Sequence, residues 1–218
     1  MWDRTHGTMR KKLLIATAAL MPALAGCDAL AYMGYLIVPP PPPKTVPAEF
    51  GNLAKHSAAI VIHIDPSAEY EYPGARLQLA SLIAGHLREN VDGITVVDPR
   101  KVVRHQRENI YWDEMDRTQL GKQFEADYVL YVSLIEFSMR EPGSLGLYRG
   151  NIKAEVSVYD TSLDERQALV WRGSDICAVY PPDSSSLPAE DNRTVHYKTA
   201  NLFAEKLAKK FYKHKVPR

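Results

Sequence analysis

Tyr128-Val129-Leu130-Tyr131-Val132-Ser133-Leu134-Ile135-Glu136-Phe137 is nearly all apolar and rich in β-branched and aromatic residues. Such a run reads as a strand covered on both faces, and therefore as the centre of a sheet. Upstream, Asp116 to Phe124 has helical spacing, with Leu120 and Phe124 turned inward. Asp98-Pro99 is an N-cap followed by proline at the first helical position, and Val102, Val103 and Gln106 continue that short helix. Ile94 to Val97 is a strand entered through the Asp92-Gly93 turn. Leu79, Leu82, Ile83, His86 and Leu87 recur at helical spacing, in a helix that Pro73 is placed to begin and that runs to about Glu89. Before it, Ala59-Ile60-Val61-Ile62-His63-Ile64 is a buried strand, ended by Asp65-Pro66.

Downstream, Met139 to Gly150 is a glycine-containing connection. Ile152, Ala154, Val156 and Val158 then alternate with Lys153, Glu155, Ser157 and Tyr159, which predicts a strand wet on one face. Asp160 to Gln167 turns the chain. Ala168 to Val179 returns as a strand with Gly173 as a bulge, and Tyr180 to Asn192 is a loop. Thr194 is expected to cap a long helix carrying Val195, Leu202, Phe203, Leu207 and Phe211 on one face. The first strands require right-handed parallel crossovers and the last three a meander. The expected class is α/β (α+β): a mixed sheet of about five strands, with helices packed on it and one at the C-terminus.

The chain has 218 residues, a formal charge of +1 and 45% hydrophobic residues. That is enough for one cored domain, and the near-neutral charge gives no footprint for nucleic acid. Of the two cysteines, Cys177 lies in an apolar strand context and is expected to be a buried, inert thiol; no intrachain disulfide is expected.

Arg10-Lys11-Lys12, an apolar run from Leu13, and Leu24-Ala25-Gly26-Cys27 resemble the signal and lipobox of bacterial lipoproteins. Met9 fits as the start of that signal, and whether residues 1–8 are translated stays open. The resemblance implies cleavage before Cys27, which would carry diacylglycerol and an N-acyl chain such as palmitate; two or more chains anchor stably where one does not. The alternatives are an unlipidated signal peptide and an uncleaved helix. The run is short for a span, and extending it would bury Asp28. Residues 1–26 are thus read as signal peptide, 27–57 as lipidated cysteine and tether, and 58–218 as one globular domain. Within the tether, Ala29 to Val38 is apolar, and Pro39 to Pro43 form a polyproline strut of about 15 Å. Asp28 is a feature associated in proteobacterial lipoproteins with inner-membrane retention, but inner and outer membrane both stay open, as do a periplasmic and an external face.

Gln119-Leu120-Gly121-Lys122-Gln123-Phe124-Glu125-Ala126-Asp127-Tyr128-Val129-Leu130, with Val96-Val97-Asp98 before it and Trp171-Arg172-Gly173 after, resembles the TolB N-terminal-like domain. That domain occurs in LpoB-type and CsgG-related envelope lipoproteins. The match covers roughly residues 58–178 and departs at Glu125 and Tyr131, where the family usually has glycine. It implies the same fold and a place in envelope assembly.

Four groups of residues invite a chemical reading. His63 and Asp65 end the first strand, where α/β folds place ligand crevices; the alternative is a hydrogen-bonded strand terminus. Asp113, Glu114 and Asp116 could do acid–base work or bind calcium, or simply favour a helix N-terminus. The glycine-rich 143–150 stretch lies between strands, so it is a hairpin tip and not a phosphate cradle. No complete nucleophile or metal signature is present, so no catalytic residue, metal or cofactor is expected. Lys206, Lys209, Lys210, Lys213 and Lys215 form either a solvated helix end or a contact for anionic lipid. The expectation is a membrane-anchored envelope lipoprotein with a non-catalytic domain. It touches lipid through Cys27 and another envelope protein through its surface. The alternatives are an envelope enzyme built on His63 and Asp65 or the acidic cluster, and a glycan or peptidoglycan binder using Tyr111, Trp112 and Tyr148.

Overall fold

A computed structural model describes residues 42–144, 146–182, 187–188 and 192–216. The lipobox, Cys27 and Pro39 lie outside the described residues. Residues 45–215 form one compact unit; the nine elements expected from the sequence occur in the expected order, and the described residues add three short strands and one short helix that were not expected.

Strand β1 (Lys44–Val46) is followed by β2 (Ser57–His63), α1 (Pro66–Glu71), α2 (Ala75–Asn90) and β3 (Thr95–Val96). Next come α3 (Pro99–Glu108), α4 (Arg117–Gln123), β4 (Tyr128–Arg140), β5 (Leu147–Asp160) and β6 (Leu169–Tyr180). The chain ends with β7 (Leu187–Pro188), α5 (Asn192–Ala208) and β8 (His214–Val216). The main sheet runs β3-β2-β4-β5-β6, with β7 paired to β5, while β1 and β8 form a separate two-stranded sheet. Strand β2 is parallel to both β3 and β4. Strands β4, β5 and β6 are antiparallel neighbours. The expected mixed sheet, a parallel part followed by a meander, is therefore present, with the short β7 added.

The apolar character of β2 and β4 follows from two cores. Ala58, Ile60 and Ile62, with Tyr128, Leu130 and Val132, face a large core closed by Leu79, Ile83 and Leu87 of α2 and Phe203 and Leu207 of α5. Ala59, Val61 and Val129 face a smaller core closed by Val102 of α3, Leu120 of α4 and Trp112. Beyond Ser133 the second face opens: among the described residues, Ile135 and Glu136 of β4 and Glu155 of β5 are exposed. The alternation in β5 fits this, with Ile152, Ala154, Val156 and Val158 fully buried. Ser157, expected to be wet, is buried as well.

Several boundaries differ from the sequence reading. Asp65-Pro66 does not merely end β2; the Asp65 carboxylate accepts from the Ser67 amide at 2.9 Å and caps α1. Helix α2 starts after Gly74, at φ 89°, so Pro73 precedes the helix instead of lying in its first turn. The connection between β4 and β5 is shorter than expected because β4 extends to Arg140. The bulge on β6 falls between Gly173 and Ile176, with Asp175 at φ 59°. Thr194 lies inside α5 and is not its cap. Cys177 is half-buried, not buried. Phe50 and Leu53 belong to the large core, so packing begins before residue 58.

Helix α4 ends in a Schellman motif: Ala126 N–H donates to the Gly121 carbonyl at 3.0 Å, and Glu125 N–H to that of Lys122 at 3.1 Å. The motif places Glu125 at φ 55°, a position that favours glycine. Glu125→Gly is expected to raise stability by up to about 1 kcal/mol, whereas Leu130→Ala in the fully buried centre of β4 lowers it by about 2–5 kcal/mol. Urea denaturation of the two variants measures both.

Candidate functional site

The connections leaving β2 and β3 go to opposite faces of the sheet. Helices α1 and α2 follow β2 towards the large core, and α3 follows β3 towards the small one. That divergence marks the place where an α/β sheet opens a crevice beyond its strand ends, and His63 lies there, as the sequence suggested. The crevice position is occupied by the protein's own side chains. Gln106 of α3 is buried and donates its amide to the Ile62 carbonyl at 3.0 Å. Trp112 is also buried, its ring centroid 6.0 Å from that of His63. Tyr131 lies 6.4 Å from His63 and 6.5 Å from Trp112.

Two arginines bracket this ring cluster. The Arg117 guanidinium lies 4.3 Å from the centroid of Tyr131. Arg76, from the first turn of α2, lies 5.6 Å from that of Trp112 and is only 7% exposed. It is neutralised by Glu69 of α1 at 2.6 Å. Burial pushes the Arg76 guanidinium below its ordinary pKa, against the pull of Glu69, and burial pushes the Tyr131 phenol upward. Arg76, Gln106, Tyr131 and Arg117 were not expected from sequence. The signal for Arg76 was present: it lies three and four residues before Leu79 and Ala80, on the buried stripe of α2.

Two of the acidic residues singled out from sequence, Asp65 and Asp116, serve as caps. Asp65 accepts from both the amide and the hydroxyl of Ser67, and these bonds hold its carboxyl below the usual value of 3.8. Asp116 caps α4, accepting from the Thr118 amide at 3.0 Å and hydroxyl at 2.5 Å. The Asp113 carbonyl accepts from Arg117 at 2.9 Å. Among the described residues, no group of three or more His, Cys, Asp or Glu could hold a metal.

The tyrosines and tryptophan grouped from sequence do not act together. Trp112 is interior, while Tyr111 and its neighbour Ile110 point outward at 62% and 74% exposure, as does Tyr70 of α1 at 90%. Tyr148 belongs to a separate cavity of about 380 Å³ that it lines with Tyr72, Arg140, Arg193 and His196. Burial lowers the pKa of His196. Among the described residues, no helix is long and apolar enough to cross a membrane.

No family model matches the chain, and no curated protein matches it. Solved structures similar to it include the PelC dodecamer from Paraburkholderia phytofirmans, at 12% identity and a TM-score of 0.45, covering 79% of this chain and 99% of that one. Lipoprotein GNA1162 from Neisseria meningitidis is 19% identical with a TM-score of 0.39, over 60% of this chain and 88% of its own. A lipoprotein from Caulobacter crescentus CB15 is 13% identical with a TM-score of 0.34, over 69% and 84%. These likenesses are too distant to assign a partner or an activity.

The role of Asp65 can be read from its pH dependence. A carboxylate with a depressed pKa contributes stability above its unfolded value, and the contribution fades as pH falls through the lower folded value. Asp65→Ala is therefore expected to unfold at lower urea than the parent at about pH 7, with the gap narrower at a pH below the unperturbed value of 3.8, whereas Asp65→Ser keeps the cap and most of the stability. Parallel urea titrations at both pH values check this.

Proposed function

We propose that this chain is a lipoprotein of the bacterial envelope, anchored through Cys27, whose α/β domain binds another envelope protein and carries out no chemistry of its own. The observation that carries the non-catalytic reading is the filled strand-end crevice. An enzyme built there would need His63 and Asp65 free and converging with a third polar group. Instead His63 is packed against Trp112 and Tyr131, and the Asp65 carboxylate is engaged by Ser67.

The surface above that plug supports the binding reading. Ile110 and Tyr111 are adjacent, outward and apolar, and the next residue, Trp112, is fixed in the small core. Exposed aromatic and aliphatic side chains on a rigid base are suited to act as anchors of a protein interface, because little entropy is lost when they are covered. A second reading rests on the Tyr148 cavity. Tyr148 for stacking, with Arg193 and the Arg140–Glu71 pair for hydrogen bonds, fits a glycan.

Metabolic labelling with a clickable palmitate tests the anchor: the parent chain is expected to take up label and Cys27→Ser to lose it, and label retained by Cys27→Ser contradicts lipidation. The interface is tested by cross-linking in the native membrane. Ile110→Asp and Tyr111→Asp are expected to lose adducts that Tyr197→Asp, exposed on α5, retains; equal adducts in all three contradict the assignment. Loss of glycan-array binding in Tyr148→Ala, with protein adducts unchanged, would favour the second reading.

A further inference from the structure

Neither reading uses the lysines that close the C-terminal helix. Lys206, Lys209 and Lys210 share one face through their spacing of three and four. With His214, Val46 and Cys177 they line a cavity of about 370 Å³. Lys206 donates to the Cys177 carbonyl at 2.9 Å and has no carboxylate within ion-pair distance among the described residues. Lys209 pairs with Glu205 and Lys210 with Glu49, each at 2.6 Å. Both pairs are partly exposed, and such pairs hold weakly in water. The cavity's other carboxylate, Asp175, is taken by Lys153 at 2.9 Å. Lys213 and Lys215 follow, exposed and without an ion pair among the described residues. Lys206 thus remains as surplus positive charge in the cavity lining, with Lys213 and Lys215 exposed on the segment that follows the helix.

The position of the cavity suggests the source of the matching negative charge. The chain enters the compact unit at Thr45, and Val46 and Pro47 form part of the cavity lining. The cationic cavity therefore lies beside the first residues of the compact unit. Lysine ammonium groups, each with three donors, suit a phosphate as point charges.

We infer that this cavity receives the phosphate of an anionic lipid headgroup in the membrane to which the tether is fixed. The inference rests on the anchored reading above.

The test uses the full chain reconstituted into phosphatidylcholine vesicles with or without phosphatidylglycerol. Lysines are acetylated with a water-soluble reagent and each site is read by mass spectrometry. Several-fold slower acetylation of Lys206, Lys209 and Lys210 in phosphatidylglycerol vesicles is expected, reversed by high salt, with Lys101 and Lys122 on α3 and α4 unchanged. Lys206→Gln should weaken the protection of the other two by about fivefold. Equal rates in both vesicles overturn the inference, as does slowing that extends to Lys101 and Lys122. Protection by inorganic phosphate in pure phosphatidylcholine overturns the lipid assignment in favour of a free-anion site. The full chain enters the bilayer through its acyl groups or through its apolar N-terminal segment, so a negative palmitate result refutes lipidation alone and leaves this comparison readable.

Discussion

Strand β4 has to satisfy four neighbours at once. It is parallel to β2 along one edge and antiparallel to β5 along the other. In its first half it buries alternate side chains in two different cores. No amphipathic pattern can meet those demands, so Tyr128 to Val132 contains no charged residue. Past Ser133 the second core ends and one face opens to water. There the chain admits Glu136, and an irregularity in the β4–β5 register accompanies the change at Ile135.

The placement of β2 between β3 and β4 follows from the same arrangement, and so does the divergence of the connections beyond His63. A crevice opened there would leave the Ile62 carbonyl, at the end of a fully buried strand, without a partner. Gln106 supplies one, and Trp112 covers the remaining space under the guanidinium of Arg76. Burying that guanidinium would be costly without a counter-charge, which Glu69 provides from the helix capped by Asp65. The acidic residues near the strand ends thus stabilise helices and a buried cation. What the domain offers to solvent is relief on its surface: Ile110, Tyr111, the Tyr148 cavity and the lysine-lined cavity.

The sheet was legible in the sequence because strand burial writes itself locally, as unbroken apolar runs in β2 and β4 and alternation in β5. Asp98-Pro99 was legible for the same reason. Asp65-Pro66 is the same cap-and-proline pair, yet it read as a terminator because only six helical residues follow it, too few to show a period. Thr194 looked like a cap by residue type alone, but the helix around it begins two residues earlier, at Asn192, and Asp191-Asn192 offers the same type of signal that Thr194 does. The site was less legible. Arg76, Gln106 and Tyr131 are brought together by pairings far apart in sequence, and an arginine on a helix reads as solvated until its neighbours are known. Trp112 and Tyr111 show the limit most plainly: adjacent aromatic residues, one fixed inside and one facing water, cannot be told apart without the core that receives the first.

Native-state hydrogen exchange tests most directly the claim that the domain is a rigid sheet hung on β4 with its crevice filled. The amides of Val129, Leu130 and Val132, together with Trp112, are predicted to exchange only through global unfolding, at the slowest rates in the chain. Exchange of Trp112 through a separate low-energy opening, while β4 stays protected, would mean that the crevice opens in the native state and would contradict the account.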